Sequence, residues 1–446
     1  MHERQFRQGA AMTRRPITLA LAALALAGLL GACSGGGSDD GDASASSTAD
    51  LSAAEKAEFE ANSEFAQCLR DQGLEGYPDP QVSESGYMLV GAPFGAVEEW
   101  QAAQEACQNV FDAAAADETD AAAWEKVVPG GDCQCADGSE FAFWERRADP
   151  TKVVLYLDGG GACFDATTCA FATGDAAGYD WSAQDEESGG DRSGGVFDLA
   201  RAENPFRDHS FVFVPGCTGD AYLGDATREY SPELTVQHKG YVNGTAALNY
   251  LAQNYPDATQ VVVVGKTAGS TAAPIYGGLV ADLLPEAQVT VFGAQSGAFP
   301  DDPELNARLG ELWGAYDTMP DWEVNQGLTA RDWGVRRFWV QAGLHDPDIV
   351  LARFDYAFDA EAASGLESIG VDASNMVALI DANEAAIEAA GVVQHSYTAP
   401  GDDHGILYDD RFYDMEVNGV TLVDWVDALI AGEPLDDVHC DQCKPA

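Results

Sequence analysis

Three short segments of this chain carry residues that could do acyl-transfer chemistry together. Val261-Val262-Val263-Val264-Gly265-Lys266-Thr267-Ala268-Gly269 ends an apolar run with a hydroxyl between two glycines. That is the layout of a nucleophile elbow, a tight strand-to-helix turn, with threonine where serine is expected. Leu157-Asp158-Gly159-Gly160-Gly161-Ala162-Cys163 offers backbone N–H groups with little side-chain cover, as stabilisation of an oxyanion requires. Pro400-Gly401-Asp402-Asp403-His404 brings an imidazole placed to act as a general base. Gly265-Lys266-Thr267 also has the look of a phosphate-binding loop, but that motif needs a glycine five residues before Gly265, where Gln260 stands. His209, His238, His395 and His439 lack the position of His404 after a final apolar run, and Ser270 reads as a residue of the helix that follows the elbow.

The elements that must position these groups alternate. Lys152 to Leu157, Ser210 to Val214, Val261 to Val264, Val289 to Phe292, Phe338 to Gln341 and Val392 to Tyr397 are short apolar runs, mostly β-branched or aromatic, as buried parallel strands are. Helical patterns fall between them, including Gly244 to Asn254 and Ala268 to Leu284. The fold class expected is α/β, a mostly parallel sheet flanked by helices, with the chemistry at the carboxyl ends of its strands.

The amino terminus reads as an export signal. Met12-Thr13-Arg14-Arg15-Pro16 is a short positive region, with Met12 read as the start, before an apolar run from Ile17 to Leu30. Leu30-Gly31-Ala32-Cys33 resembles a bacterial lipobox, which makes residues 1–33 a lipoprotein signal and Cys33 the lipidated residue that anchors the chain to the outer face of the cell membrane. Residues 34–50, rich in Gly, Ser and Asp, are a flexible tether. Residues 51–117 read as a disulfide-linked helical hairpin, Leu51 to Gln72 and Val97 to Ala115, with the pair Cys68 and Cys107 on its two helices; it is a spacer or the docking element for a protein partner. A domain of different composition spans residues 124–446.

Composition sets limits. The chain has 446 residues, 46% of them hydrophobic, so a sizeable core is within reach. Its 23 Lys and Arg against 74 Asp and Glu give a net charge of -51, which excludes nucleic-acid binding, because nothing here neutralises a row of phosphates. Ten cysteines in an exported chain point to disulfides. Cys163 and Cys169 close a short loop, the pair Cys133/Cys135 is placed to meet Cys440/Cys443, and Cys217 is then left over. The same C-x-C and C-x-x-C spacing would suit zinc, but an oxidising compartment favours tethering disulfides. No calcium-loop pattern occurs, and neither a metal nor an organic cofactor is expected.

Several motifs taken in order resemble one family. Asp137-Gly138-Ser139-Glu140-Phe141-Ala142-Phe143-Trp144, the glycine segment through Cys169, Pro215-Gly216-Cys217-Thr218-Gly219-Asp220 and the elbow are similar to the pectin acetylesterase and Notum carboxylesterases, from about Val127 to the end. The resemblance implies an α/β-hydrolase-like fold and a Ser-His-Asp triad that removes acyl groups from esters without a cofactor. Carried over, it puts Thr267 at the nucleophile, His404 at the general base, and the N–H groups of Gly160, Gly161 and Ala268 at the oxyanion hole. It implies a Cys163–Cys169 disulfide beside that loop. It places the acid just after a strand like Phe338 to Gln341, where Asp346 is expected, with Asp348 behind it. The implied substrate is a small ester or a neutral acylated glycan. Threonine at the elbow departs from the family, because a β-branched residue at positive φ is strained; the alternative is a catalytically silent relative that binds an acylated ligand or a protein partner.

Overall fold

A computed structural model of the chain describes residues 123–172, 178–182, 192–440 and Cys443, together with residues 63, 66–74, 77, 81–82, 88–89 and 107. The signal with Cys33, the tether and most of the 51–117 segment lie outside the described residues. Within that segment residues 66–71 are helical, and Cys68 is bonded to Cys107 as expected. Gln81–Val82 pairs antiparallel with Met88–Leu89, a small strand pair that the hairpin reading did not include.

The valine-rich runs behave as buried strands should. Nine strands form one sheet: β1 Glu125–Val127, β2 Phe143–Arg146, β3 Asp149–Leu157, β4 His209–Val214, β5 Gln260–Lys266, β6 Gln288–Ala294, β7 Val350–Tyr356, β8 Gln394–Ala399 and β9 Val438–His439. Their spatial order is β1-β2-β4-β3-β5-β6-β7-β8-β9. All neighbours from β4 to β9 are parallel; β2 runs antiparallel to β4, and β1 to β2. Alternate residues of one strand feed opposite layers. Val261 and Val263 join a core with Val153, Leu155 and Trp339, whereas Val262 and Val264 join one with Tyr156, Phe213 and Trp425. Both faces are therefore covered, which is why these strands read as continuous apolar runs rather than alternating ones.

Helices α1 Gly240–Asn254, α2 Ala268–Leu283, α3 Pro303–Trp313, α4 Val335–His345, α5 Ala360–Ser368 and α6 Met376–Ala389 follow in chain order, and α7 Arg411–Asp414 and α8 Leu422–Ala431 complete the domain. The result is an α/β-hydrolase-like fold, as expected. One strand expectation fails: Phe338 to Gln341 lies inside α4, where Phe338, Trp339, Val340, Gln341 and Ala342 are buried. A short apolar aromatic run fits a buried helix as well as a strand. The strand that takes its place, β7, escaped notice because Arg353 and Asp355 interrupt it. Those two charges are buried but bonded to each other, Nε to Oδ2 at 2.6 Å, so the sheet accepts them.

The cysteine pairing also differs. Cys135 is bonded to Cys217, Cys440 to Cys443, and Cys133 is the free thiol among the described cysteines. Cys133 and Cys135 lie between β1 and β2, at the opposite edge of the sheet from β9 and Cys440, so the expected pairing has the full width of the sheet to cross. Cys135 instead meets the loop after β4, where the Ala136 N–H donates to the Cys217 carbonyl at 2.8 Å. Closing an 82-residue separation restricts the unfolded chain by about 4 kcal/mol in the chain-entropy account. The bonded cysteines suit a secreted or extracellular chain.

Two buried titratable groups of opposite effect meet at that loop, Asp220 within it and His238 at the end of the strand Leu234–His238. Asp220 accepts from Thr218 Oγ1 and from the Tyr222 and Gly240 N–H groups, yet burial pushes its carboxyl up to about 6. His238 is held by Tyr230 and the Thr218 carbonyl, and burial pushes it down to about 4. Neutral His238 contributes stability that is full above the unfolded value of 6.5 and is lost as pH falls through 4, a term of about 3 kcal/mol. Asp220 contributes in the other direction: its stability is full below 3.8 and is lost as pH rises through about 6. The stability deficit of His238→Gln relative to the unaltered protein should therefore shrink by about 3 kcal/mol between pH 7 and pH 4 in urea titrations. A constant deficit would mean that the imidazole titrates alike in both states.

Candidate active site

Thr267 stands at the elbow between β5 and α2. Its backbone has φ 46° and ψ -105°, the strained geometry that a nucleophile elbow requires, and its N–H donates to the Ala294 carbonyl at 2.8 Å. The turn is tight because glycine stands two residues away on either side, at Gly265 and Gly269. A Cβ on Gly265 would lie 2.6 Å from Ser270 Cα, and one on Gly269 would overlap the Leu157 carbonyl of β3. Holding a β-branched residue at this φ costs on the order of 1 to 3 kcal/mol. Ser270 points elsewhere: it is buried, and its hydroxyl bonds to Ser296 Oγ at 2.6 Å, in line with its reading as a helix residue.

The glycine loop leaves β3 alongside the elbow. Gly160 has φ 129°, and a Cβ there would stand 2.6 Å from the Gly216 carbonyl, so backbone alone fits. The Gly160 carbonyl accepts from the Asp180 N–H at 2.8 Å, which fixes the loop, and the Cys163–Cys169 disulfide closes its far end as expected. No backbone carbonyl among the described residues takes up the Gly160, Gly161 or Ala268 N–H groups. All three line one cavity with Thr267 and His404. An ideal Cβ on Gly159 would lie 2.8 Å from Thr267 Oγ1, so the hydroxyl sits directly against this loop.

His404 follows β8. Its Nδ1 is 2.8 Å from Asp359 Oδ2 and 2.9 Å from Oδ1, with Asp359 almost wholly buried. Asp359 follows β7 and caps α5, accepting from the Ala362 N–H at 2.8 Å. The carboxylate therefore holds Nδ1 protonated and leaves Nε2 as the basic nitrogen, turned to a site where Glu361 Oε1 stands 3.9 Å away. No hydrogen bond joins the Thr267 hydroxyl to this ring.

The carboxylate bonded to His404 is Asp359 and not Asp346, where the acid was expected. Asp346 is the C-cap of α4 and accepts from the Asp348 N–H, and both residues precede β7. A seven-residue strand, about 23 Å, separates that end of the sheet from the end where Asp359 and His404 meet. His345 beside it bonds to Asp282 and stacks on Trp322. The aspartate that bonds to His404 follows the strand before the histidine strand, and reading α4 as that strand places the expectation one element too early.

Sequence reading missed the rest of the cavity. It has a volume of about 670 Å³ and an apolar wall that includes Leu305, Leu309, Trp313, Met319, Trp333 and Phe338. Trp313 Nε1 donates to the Cys163 carbonyl at 2.9 Å, which ties this wall to the glycine loop. Lys266 also lines the cavity, its ammonium 5.1 Å from the Tyr408 ring centroid. Burial pushes the neighbouring Asp158 carboxyl up, and Lys266 acts against that shift.

With the geometry in place, comparison with known proteins adds three findings. A family model described as pectinacetylesterase matches residues 126–314, less than half of the chain. No curated protein matches it. Two crystal forms of the Wnt deacylase Notum from Drosophila are similar in structure at 17% identity. One covers 72% of this chain and 97% of that one with a TM-score of 0.53; the other covers 73% and 98% with a TM-score of 0.50. That likeness establishes a shared fold, and the family match supports a hydrolase of the ester-cleaving type.

Proposed function

We propose that the chain is an exported carboxylic ester hydrolase that uses Thr267 as its nucleophile and removes an apolar acyl group. The observation that carries this reading is the Asp359–His404 pair, set in the same cavity as an elbow residue at positive φ and a loop of unengaged N–H groups. In the mechanism, Thr267 Oγ1 attacks the ester carbonyl while His404 Nε2 takes its proton. Asp359 keeps the ring in one tautomer and stabilises the imidazolium. The Gly160, Gly161 and Ala268 N–H groups receive the oxyanion. The protonated imidazole then passes its proton to the leaving alcohol, and water, activated by the same nitrogen, releases the acid from the threonyl ester.

The wall of the cavity supports an acyl group longer than acetyl, since a short group would leave most of 670 Å³ unfilled. Lipid anchoring through Cys33 belongs to this proposal; it would hold the site outside the cell, where acylated glycans or proteins are within reach. The strained β-branched residue and the absence of a hydroxyl-to-imidazole bond favour the second reading, an acyl-binding relative whose nucleophile is silent.

The test is hydrolysis of nitrophenyl esters from C2 to C12. Turnover should rise with chain length and vanish with His404→Ala; no turnover of any ester would leave the silent reading standing. Leu309→Trp, which narrows the wall away from the reacting groups, should shift the preferred chain length downward by several carbons. An unshifted preference would mean that the acyl chain lies elsewhere.

A further inference from the structure

Between α6 and β9 a second group of side chains converges that the ester chemistry does not use. Asp381, Glu384 and Glu388 occupy positions i, i+3 and i+7 of α6, and so share one face of the helix. That face meets the last strand, where Asp437 and His439 stand. The ligand atoms of Asp381, Glu384 and His439 lie within 4.8 Å of one another, and so do those of Glu384, Glu388 and Asp437. Glu384 is common to both groups. It is 7% exposed, its Oε1 is 3.2 Å from His439 Nε2, and its Oε2 is buried with no hydrogen-bond partner.

A buried carboxylate oxygen without a donor is costly. Asp381, Glu388 and Asp437 bring three further carboxylates close to it. Burial works against the Glu384 carboxylate, whereas His439, Arg353 and Ser396 favour it and together hold it below its ordinary value. A cavity of about 370 Å³ lined by Glu388, His395 and Asp437 opens beside the cluster. We propose that Glu384, His439 and Asp381, with Glu388 and Asp437 in support, bind one divalent transition-metal cation of the zinc type. One imidazole with several carboxylates is a borderline donor set, which suits zinc better than an all-oxygen calcium site. The cation would clip the short final strand β9, and the chain end beyond it, to α6. The donors come from two segments of sequence about 50 residues apart, so no contiguous motif announces them.

The test uses the full chain, stripped with a chelator, and zinc chloride as the probe in calorimetric titration and thermal unfolding. A single saturable equivalent with a raised Tm is expected. His439→Ala and Asp381→Asn, both at the surface, should weaken binding by about ten-fold or more with the circular dichroism spectrum unchanged. Glu384→Gln should abolish it, and calcium should bind at least about ten-fold more weakly than zinc. No zinc binding by the full chain, zinc affinity unchanged in the two surface variants, or calcium binding that equals zinc would each overturn the proposal.

Discussion

Asp359→Asn is expected to lower kcat for ester hydrolysis by about 10⁴-fold, whereas Asp346→Asn leaves it unchanged. Asparagine keeps the size of the side chain, and its carbonyl can still cap α5 at the Ala362 N–H, so the fold should survive. What it removes is the charge that holds His404 Nδ1 protonated at 2.8 Å. Without it the ring is free to take the other tautomer, and the imidazolium formed during attack loses its counter-charge; in a well-characterised protease the same change costs about 10⁴. Steady-state kinetics on the best nitrophenyl ester read this directly. A loss of only a few-fold in Asp359→Asn, or a large loss in Asp346→Asn, would contradict the acid assignment.

Thr267→Ser is expected to raise kcat/KM by about ten- to a hundred-fold. The substitution keeps the hydroxyl and removes the methyl group that is strained at φ 46°. Relief of about 1 to 3 kcal/mol is available, and the part of it realised in the transition state appears as rate at about 1.4 kcal/mol per factor of ten. The part realised in the ground state appears as a higher Tm. Measuring kcat/KM and Tm for both proteins separates the two. A slower serine variant would show that the threonine methyl orients the hydroxyl, so that the strain is useful to the reaction.

Much of the frame was legible because the chemistry and the fold share a signal. Val261 to Val264 is apolar on both sides of the chain, so it had to be a central strand, and the glycines after it had to admit a tight turn. Thr267, His404 and the glycine loop followed from their places at strand exits, and the structure gathers all of them in one cavity. Asp359 was hidden for a physical reason. Its strand carries Arg353 and Asp355, which pair with each other inside the sheet and so break the apolar run that marks a buried strand. Phe338 to Gln341 supplied a decoy, since burial on a helix and burial in a sheet select the same side chains. The cysteine pairs were misjudged because spacing carries no information on which sheet edge each segment occupies. The apolar wall of the cavity is drawn from α3, α4 and the turns between them, an assembly that only the tertiary structure brings together.

The most direct test of the central claim is covalent labelling with a fluorophosphonate that carries an apolar chain, read by peptide mass spectrometry. The account predicts one adduct on Thr267, lost in His404→Ala. An adduct on Ser270, or no adduct in the unaltered protein while Thr267→Ser is labelled, would contradict it: the first would move the nucleophile off the elbow, and the second would mean that this chain keeps the scaffold with its nucleophile switched off.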